Sequence, residues 1–430
     1  MGGNRARRND FGGLIGMIGE TPKSPDSNGI HQTSVVPKKS KEIELIYDKY
    51  SRVLGEDTWQ AYETCLSAVV SLLLEDKIPL GIVLIGPSGG TKTTVLNMFR
   101  DLPDNMTYYT DEFTPASFLT QAMNVGKDKL EEVDLIRKLP NKVFVVPDLA
   151  PLFGKKQDEL RHNMSTLTRV MDGDGYSRDG GVHGHREFRG ECIFTMLGAT
   201  VTLRPSVWSV IENMGTRLLF YRMPRMKDGQ SMNQALINQL SNSSTFEGDI
   251  IDIKKDTEHF VESLITKCGG LRRLKWDDNT TETQDNIQHI ATVSQMVTNL
   301  RAKVETDNEG KYISHESLET PERINKQLYK LSRGRAIVYE RDRLDKSDVM
   351  LALKVGLSSV KEVRGCIVES LHNQYPKSLS NADLIASTGF KATKLSNELR
   401  ILGEIGIATK STSGRADTWV LNDTWGNLKI

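Results

Sequence analysis

Gly81-Ile82-Val83-Leu84-Ile85-Gly86-Pro87-Ser88-Gly89-Gly90-Thr91-Lys92-Thr93-Thr94 joins an apolar run to a glycine-rich turn and then to a lysine with two threonines. The run Ile82 to Ile85 predicts a short buried strand, which the Gly/Pro/Ser turn ends. Val95, Leu96, Met98 and Phe99 predict an amphipathic helix opening at Lys92. Strand, glycine loop and helix in that order build a phosphate cradle. Glycines let backbone N–H groups turn toward phosphate oxygens, and a helix N-terminus adds partial positive charge. Gly86, Pro87, Ser88, Gly89, Gly90, Thr91, Lys92, Thr93 and Thr94 therefore form the candidate nucleotide-binding loop. Lys92 is expected to reach the β- and γ-phosphates of ATP, and the Thr93 hydroxyl to ligate Mg²⁺. The sixth position of such a loop is normally glycine; here it is Thr91, with Gly90 just before it. A surface loop that happens to carry a lysine is the plainer alternative.

Two more strands are predicted downstream, Met106 to Thr110 and Lys142 to Val146, with helical patterns between them at 116–125 and 130–136. The second strand ends Pro147-Asp148-Leu149. A carboxylate at the end of an apolar strand after a phosphate loop can hold Mg²⁺-bound water or polarise the attacking one. Two acids usually stand there, but Pro147 takes the first place, so Asp148 reads as the water-activating carboxylate. A simple loop carboxylate is the alternative. Asp111 or Glu112, ending the neighbouring strand, could assist.

A helix over 156–171 precedes a glycine-rich stretch, 172–190, that predicts a hairpin or long loop. Its Arg178, His183, His185, Arg186 and Arg189 could touch DNA phosphates; a solvated hairpin packed on a neighbouring subunit is the competing reading. His183 and His185 lack a cysteine partner for a metal site. A fourth strand, Cys192 to Thr200, ends Gly198-Ala199-Thr200 and places a hydroxyl beside the γ-phosphate. The helix 207–214 then leads to Gly215-Thr216-Arg217 and a fifth strand, exposing a guanidinium suited to the nucleotide of an adjacent subunit. A structural salt bridge is the alternative for Arg217.

In this order the motifs resemble those of the AAA+ ATPases, on the branch with an insertion before the sensor-1 strand that includes the minichromosome maintenance (MCM) helicases. Pro321-Glu322-Arg323-Ile324-Asn325-Lys326 and the later Leu344-Asp345-Lys346-Ser347-Asp348-Val349 are similar to that branch's lid. The resemblance implies that Thr200 is the sensor-1 group, with Thr202 a rival, Arg217 the arginine finger and Arg323 sensor 2. It also implies a homo-oligomeric ring, usually hexameric, with ATP and Mg²⁺ between subunits. It spans roughly residues 42–358, and the leader holds no MCM-like amino-terminal DNA-binding domain.

The chain is expected to divide into a disordered basic leader (1–39, with Arg5, Arg7 and Arg8), an α/β P-loop core (40–225), a helical lid (226–358) and a carboxyl-terminal module (359–430). In that module, helices at 359–375, 380–388 and 392–403, followed by Ile405–Ala408 and Trp419–Leu421, resemble a winged-helix domain. Its third helix turns Lys391, Lys394, Asn397 and Arg400 outward, and Lys410 and Arg415 lie on the wing, a set suited to a DNA groove and its phosphates. Winged helices that dock proteins are the competing reading.

Formal charge is zero across 430 residues, so no global field draws nucleic acid or membrane. No apolar run approaches the length of a membrane span. The four cysteines lack metal-ligand or disulfide spacing, and no signal-peptide core is visible, which together predict a cytoplasmic protein. The sequence thus predicts an ATPase working on nucleic acid, helicase- or loader-like. The alternative is a nucleotide-switched scaffold whose winged helix holds protein.

Overall fold

Alternation along the central strands splits their side chains between two apolar layers. Ile82, Leu84, Val143, Val145, Leu197, Leu219 and Tyr221 face one layer, while Val83, Ile85, Phe144, Val146, Met196 and Phe220 face the other. The computed structural model describes residues 41–89, 91–215, 217–224, 243–279, 281–306, 312–316, 319–413 and 416–428. The leader 1–39, and Gly90, Thr216 and Arg415, lie outside them.

Two helices, α1 (Lys41–Leu54) and α2 (Glu56–Val70), lead into β1 (Leu80–Ile85) and the short α3 (Lys92–Asn97). β2 (Thr107–Tyr109), β3 (Val143–Val146), α4 (Gln157–Val170), the hairpin β4 (Gly175–Gly180) and β5 (Gly184–Arg189), β6 (Thr195–Thr200), α5 (Pro205–Met214) and β7 (Leu218–Arg222) complete the core. The sheet is five-stranded and wholly parallel, in the order β2-β3-β6-β1-β7. β6 thus separates the phosphate-loop strand from the Asp148 strand, and all their carboxyl ends open on one edge. That edge is where ligands bind in open α/β sheets. The expected α/β class, a parallel sheet with helices around it, is what the chain adopts.

The stretch expected to be a lid comprises α6 (Ser243–Lys267), α7 (Thr281–Arg301), the antiparallel strands β8 (Lys303–Thr306) and β9 (Tyr312–Glu316), α8 (Glu322–Val338) and α9 (Lys346–Ser358). It crosses α2 closely: a Cβ added at Gly334 would sit 2.1 Å from the Ser67 carbonyl oxygen. A buried polar network ties the same helices together. Arg335 pairs with Glu63 at 2.9 Å and with Asp348 at 3.0 Å, Tyr339 donates to Glu63, and Arg341 grips Asp348. Asp348 also closes the capping box that starts α9.

The last segment contains α10 (Glu362–Gln374), β10 (Leu379–Ser380), α11 (Asn381–Thr388), α12 (Ala392–Glu404), β11 (Ala408–Ser413) and β12 (Ala416–Leu421). β12 pairs antiparallel with both β11 and β10. The segment packs firmly on the lid. Arg364, buried on α10, donates to the Leu300 and Ala302 carbonyls at the end of α7 and pairs with Glu398 of α12. One apolar cluster runs through sheet, lid and this segment. None of the described helices is long and apolar enough to cross a membrane. The four cysteines are free, and the described residues hold no His/Cys/Asp/Glu group able to bind a metal.

Several element boundaries differ from expectation. Instead of helices at 116–125 and 130–136, 3-10 turns at Pro115–Leu119 and Leu135–Lys138 flank a short helix, Leu130–Val133. Within the expected helical lid, the chain is strand from Lys303 to Thr306 and from Tyr312 to Glu316.

Candidate nucleotide-binding site

β1 delivers the loop at the sheet's carboxyl edge. Gly86 is tightly packed, because an added Cβ would come 3.0 Å from the Met223 side chain and push it aside. Its N–H donates to the Thr200 carbonyl, which joins the loop to the tip of β6. Gly89 has φ +77°, and Thr91 φ +24°. For a β-branched residue that conformation is strained, so the departure from glycine at this position falls on a backbone that wants glycine. Pro87, Ser88, Gly89 and Thr93 are exposed, and Thr94 is half-buried.

Lys92 opens α3 with its side chain folded back into the loop, only 8% exposed. Its Nζ donates to the Gly86 and Pro87 carbonyl oxygens at 3.0 and 2.5 Å. Burial lowers its pKa below the ordinary lysine value, while the charge of Asp148 opposes that shift. A lysine resting on the carbonyls of its own loop is spring-loaded toward any anion that enters.

Asp148 follows β3, where its Oδ1 accepts from the Ala150 N–H at 2.8 Å. The turn is clamped to β6, because Leu149 N donates to the Ala199 carbonyl and the Leu149 side chain fills the space over Gly198. The carboxylate itself stays exposed. Its carboxylate caps a turn and lies within electrostatic reach of Lys92.

Thr200 ends β6 in register with Ile85. It is 2% exposed, and its Oγ1 has no hydrogen-bond partner among the described residues. An orphaned buried hydroxyl is costly unless something outside the protein completes it. Beside the phosphate loop, the group that fits is a phosphate oxygen or the water next to it. The exposed Thr93 hydroxyl and Asp148 carboxylate supply the hard oxygen ligands that Mg²⁺ takes, so the residues present fit Mg²⁺ and a triphosphate. Mg²⁺, when bound, would neutralise charge on the phosphates.

The two candidate arginines lie elsewhere. β1 and β7 are parallel, with Gly81 opposite Leu218 and Ile85 opposite Arg222. Arg217 therefore sits just before β7, level with Leu80 and roughly 20 Å of strand away from the loop its own β1 carries. It is 9% exposed; its Nε donates to Asp172 Oδ1 at 3.0 Å and its Nη1 to the Gly215 carbonyl. Burial lowers its pKa below the ordinary arginine value; Asp172 opposes the shift and Arg323 adds to it. Arg323, at the start of α8, approaches the same Asp172 Oδ1 at 3.6 Å. Gln327 of α8 donates to the Arg217 carbonyl at 2.6 Å. The salt bridge considered for Arg217 is present, and neither arginine faces the loop of its own chain.

The hairpin is used differently from expectation. Arg186 forks onto Asp134, with Nη2 at 2.5 Å, and also donates to the Thr120 carbonyl. His183 bonds the Ala122 carbonyl through Nε2. Those two side chains anchor the hairpin to the segment after β2, which replaces the expectation of DNA contact at both positions. His185 is exposed and bonded to Asp179, which raises its pKa; Arg189 is exposed and paired with Glu187. Arg178 has no ion-pair partner among the described residues. Residues 172–190 carry four carboxylates against three arginines, so the surface is electrostatically balanced. On the last module Lys391, Lys394, Asn397 and Arg400 are exposed along α12, with Lys394 lying over the Phe390 ring. Lys410 is paired with Asp417.

Sequence reasoning missed Asp172 and Asp134. Both sit in polar, glycine- or leucine-flanked contexts whose partners are distant in the chain.

No protein-family model matches the chain, and no curated protein matches it. Solved structures similar to it include a Cytophaga hutchinsonii protein provisionally described as an ATPase, at 13% identity and TM-score 0.40, covering 74% of this chain and 86% of that one. Another is a full-length MCM homolog from Methanopyrus kandleri, at 11% identity and TM-score 0.42, covering 75% of this chain and 62% of that one. Likeness at this level is a partial likeness of shape, and the functional reading rests on the site's own geometry.

Proposed function

We propose that this protein is an ATPase of the AAA+ kind that binds ATP·Mg²⁺ at the Gly86–Thr94 loop and hydrolyses it between subunits. The observation that carries the reading is the pairing of a buried, loop-held Lys92 with the orphaned Thr200 hydroxyl at one sheet edge. Lys92 would bind and neutralise the β- and γ-phosphates. Thr93 would hold Mg²⁺, and Asp148 would orient the attacking water, with Thr200 fixing its position. Arg217 and Arg323, too far from their own loop, are suited to the γ-phosphate of a neighbouring chain in a homo-oligomeric ring. A guanidinium supplied in this way is worth roughly 10³–10⁵ in rate. The lid expected at 226–358 would then carry Arg323 to the interface, and the 359–430 module, read as a winged helix, would carry the exposed α12 face.

Mixing Lys92→Ala with Arg217→Ala protein tests this. Each alone should be inactive. Interfaces that combine an intact loop with an intact arginine edge should restore turnover, and a mixture as dead as its parts would refute the intersubunit site.

A second reading keeps the nucleotide and drops the motor. Pro147 removes one usual acid, Thr91 strains the loop, and the hairpin carries no excess positive charge. These favour a slow, nucleotide-switched scaffold whose α12 face holds protein. DNA-stimulated turnover would favour the motor; slow turnover indifferent to DNA would favour the scaffold.

A further inference from the structure

Two guanidiniums seldom share a partly buried site, because each raises the cost of the other. Here Arg217 comes from the start of β7 and Arg323 from the start of α8, and both converge on one oxygen of Asp172, at 3.0 and 3.6 Å. Asp172 follows α4 and is itself held by that helix: Arg169 approaches its other oxygen at 3.5 Å, and Gly173 turns the chain away with φ +84°. The carboxylate is therefore fixed from below and presents one oxygen to both arginines. Gln327, bonded to the Arg217 carbonyl, locks α8 to the same spot.

We infer that Asp172 is a positioning residue that sets Arg217 and Arg323 side by side for a triphosphate held by a neighbouring chain. The inference rests on the intersubunit reading proposed above. Its physical content is simple. One carboxylate neutralises half of a paired positive charge, which lets two guanidiniums share one site. Glu319 also acts on Arg217 but is paired with Arg301, so Asp172 is the carboxylate that the two guanidiniums share. A polyanion arriving there completes the balance. Without Asp172 the two cations repel, and the exposed one, Arg323, swings into solvent.

The test uses Asp172→Asn, which keeps an acceptor oxygen but removes the charge. Its melting temperature should stay close to wild type, and its affinity for ATP·Mg²⁺ should be unchanged, because the loop is at the other edge. Its kcat should fall by about tenfold to a hundredfold, the usual loss when a partner that orients a functional group is removed. Asp174→Asn, two residues on and paired with Arg169, should keep wild-type kcat. The decisive readout is complementation. Asp172→Asn mixed with Lys92→Ala should regain turnover, since an interface can then combine the loop of the first with the intact arginine edge of the second. If that mixture stays inactive while Lys92→Ala with Arg217→Ala recovers, Asp172 acts within its own chain and the inference fails alone. If neither recovers, the intersubunit reading fails with it. Should Asp172→Asn not fold, Asp172→Glu keeps the charge and moves the carboxylate by one methylene. It should lower kcat at unchanged ATP affinity, and wild-type kcat would contradict the assignment.

Discussion

Arg186 Nη2 lies 2.5 Å from Asp134 Oδ2, and the aspartate side chain is fully buried. The hairpin that looked like a basic surface loop is bolted down by its central arginine. Without Arg186 the buried Asp134 keeps the Thr120 N–H and the more distant Arg137 at 3.7 Å, so Arg186→Ala should lower stability by about 2 kcal/mol in urea unfolding. Arg189→Ala, on an exposed side chain, should stay within about 0.5 kcal/mol. Equal, small effects would mean that the hairpin is held by something else.

Thr91 holds a positive φ without glycine's freedom. Thr91→Gly should therefore relax the loop, raising stability by about 1 kcal/mol and tightening ATP binding. Calorimetric titration of both forms checks this, and weaker binding by the glycine variant would show that the Thr91 side chain itself serves the nucleotide.

Gly334 lets α8 cross the Ser67 carbonyl at a distance that no side chain permits. Gly334→Ala must part the two helices and should cost about 2 kcal/mol or more. A variant as stable as wild type would mean that the lid can shift freely on α2.

Lys330 is fully buried, its Nζ donating to the Ile78 carbonyl at 2.7 Å; burial pulls its pKa down to about 8, with Asp76 opposing. Between pH 8 and 10.5 the unfolded chain holds this proton and the folded chain does not, so stability contributed by Lys330 rises with pH across that window. The gap between 8 and the ordinary 10.5 corresponds to about 3 kcal/mol. Lys330→Met should remove this rise from the pH dependence of unfolding, and an unaltered slope would contradict it.

The sheet and loop were legible because their signals are local. A strand, a glycine turn and a lysine-headed helix follow one another directly, and Asp148 and Thr200 each end an apolar run. The arginine edge was half legible: Arg217 and Arg323 stand in recognisable contexts, but Asp172, which joins them, precedes a glycine and pairs across the fold. The segment after β2 was misread because its conformation follows from Asp134 meeting Arg186, 52 residues away, and not from periodicity. β8 and β9 fall inside a stretch expected to be helical, and β10 is too short to leave a pattern.

The central claim is that the Gly86–Thr94 loop holds a nucleoside triphosphate through Lys92. Isothermal titration of the full chain with ATP·Mg²⁺ tests it most directly. The wild type should bind with a Kd in the range typical of enzyme substrates, roughly 1 μM–1 mM, and Lys92→Ala, folded to the same melting temperature, should release no binding heat. A wild-type chain that ignores ATP, or a Lys92→Ala chain that binds it equally well, would contradict the account.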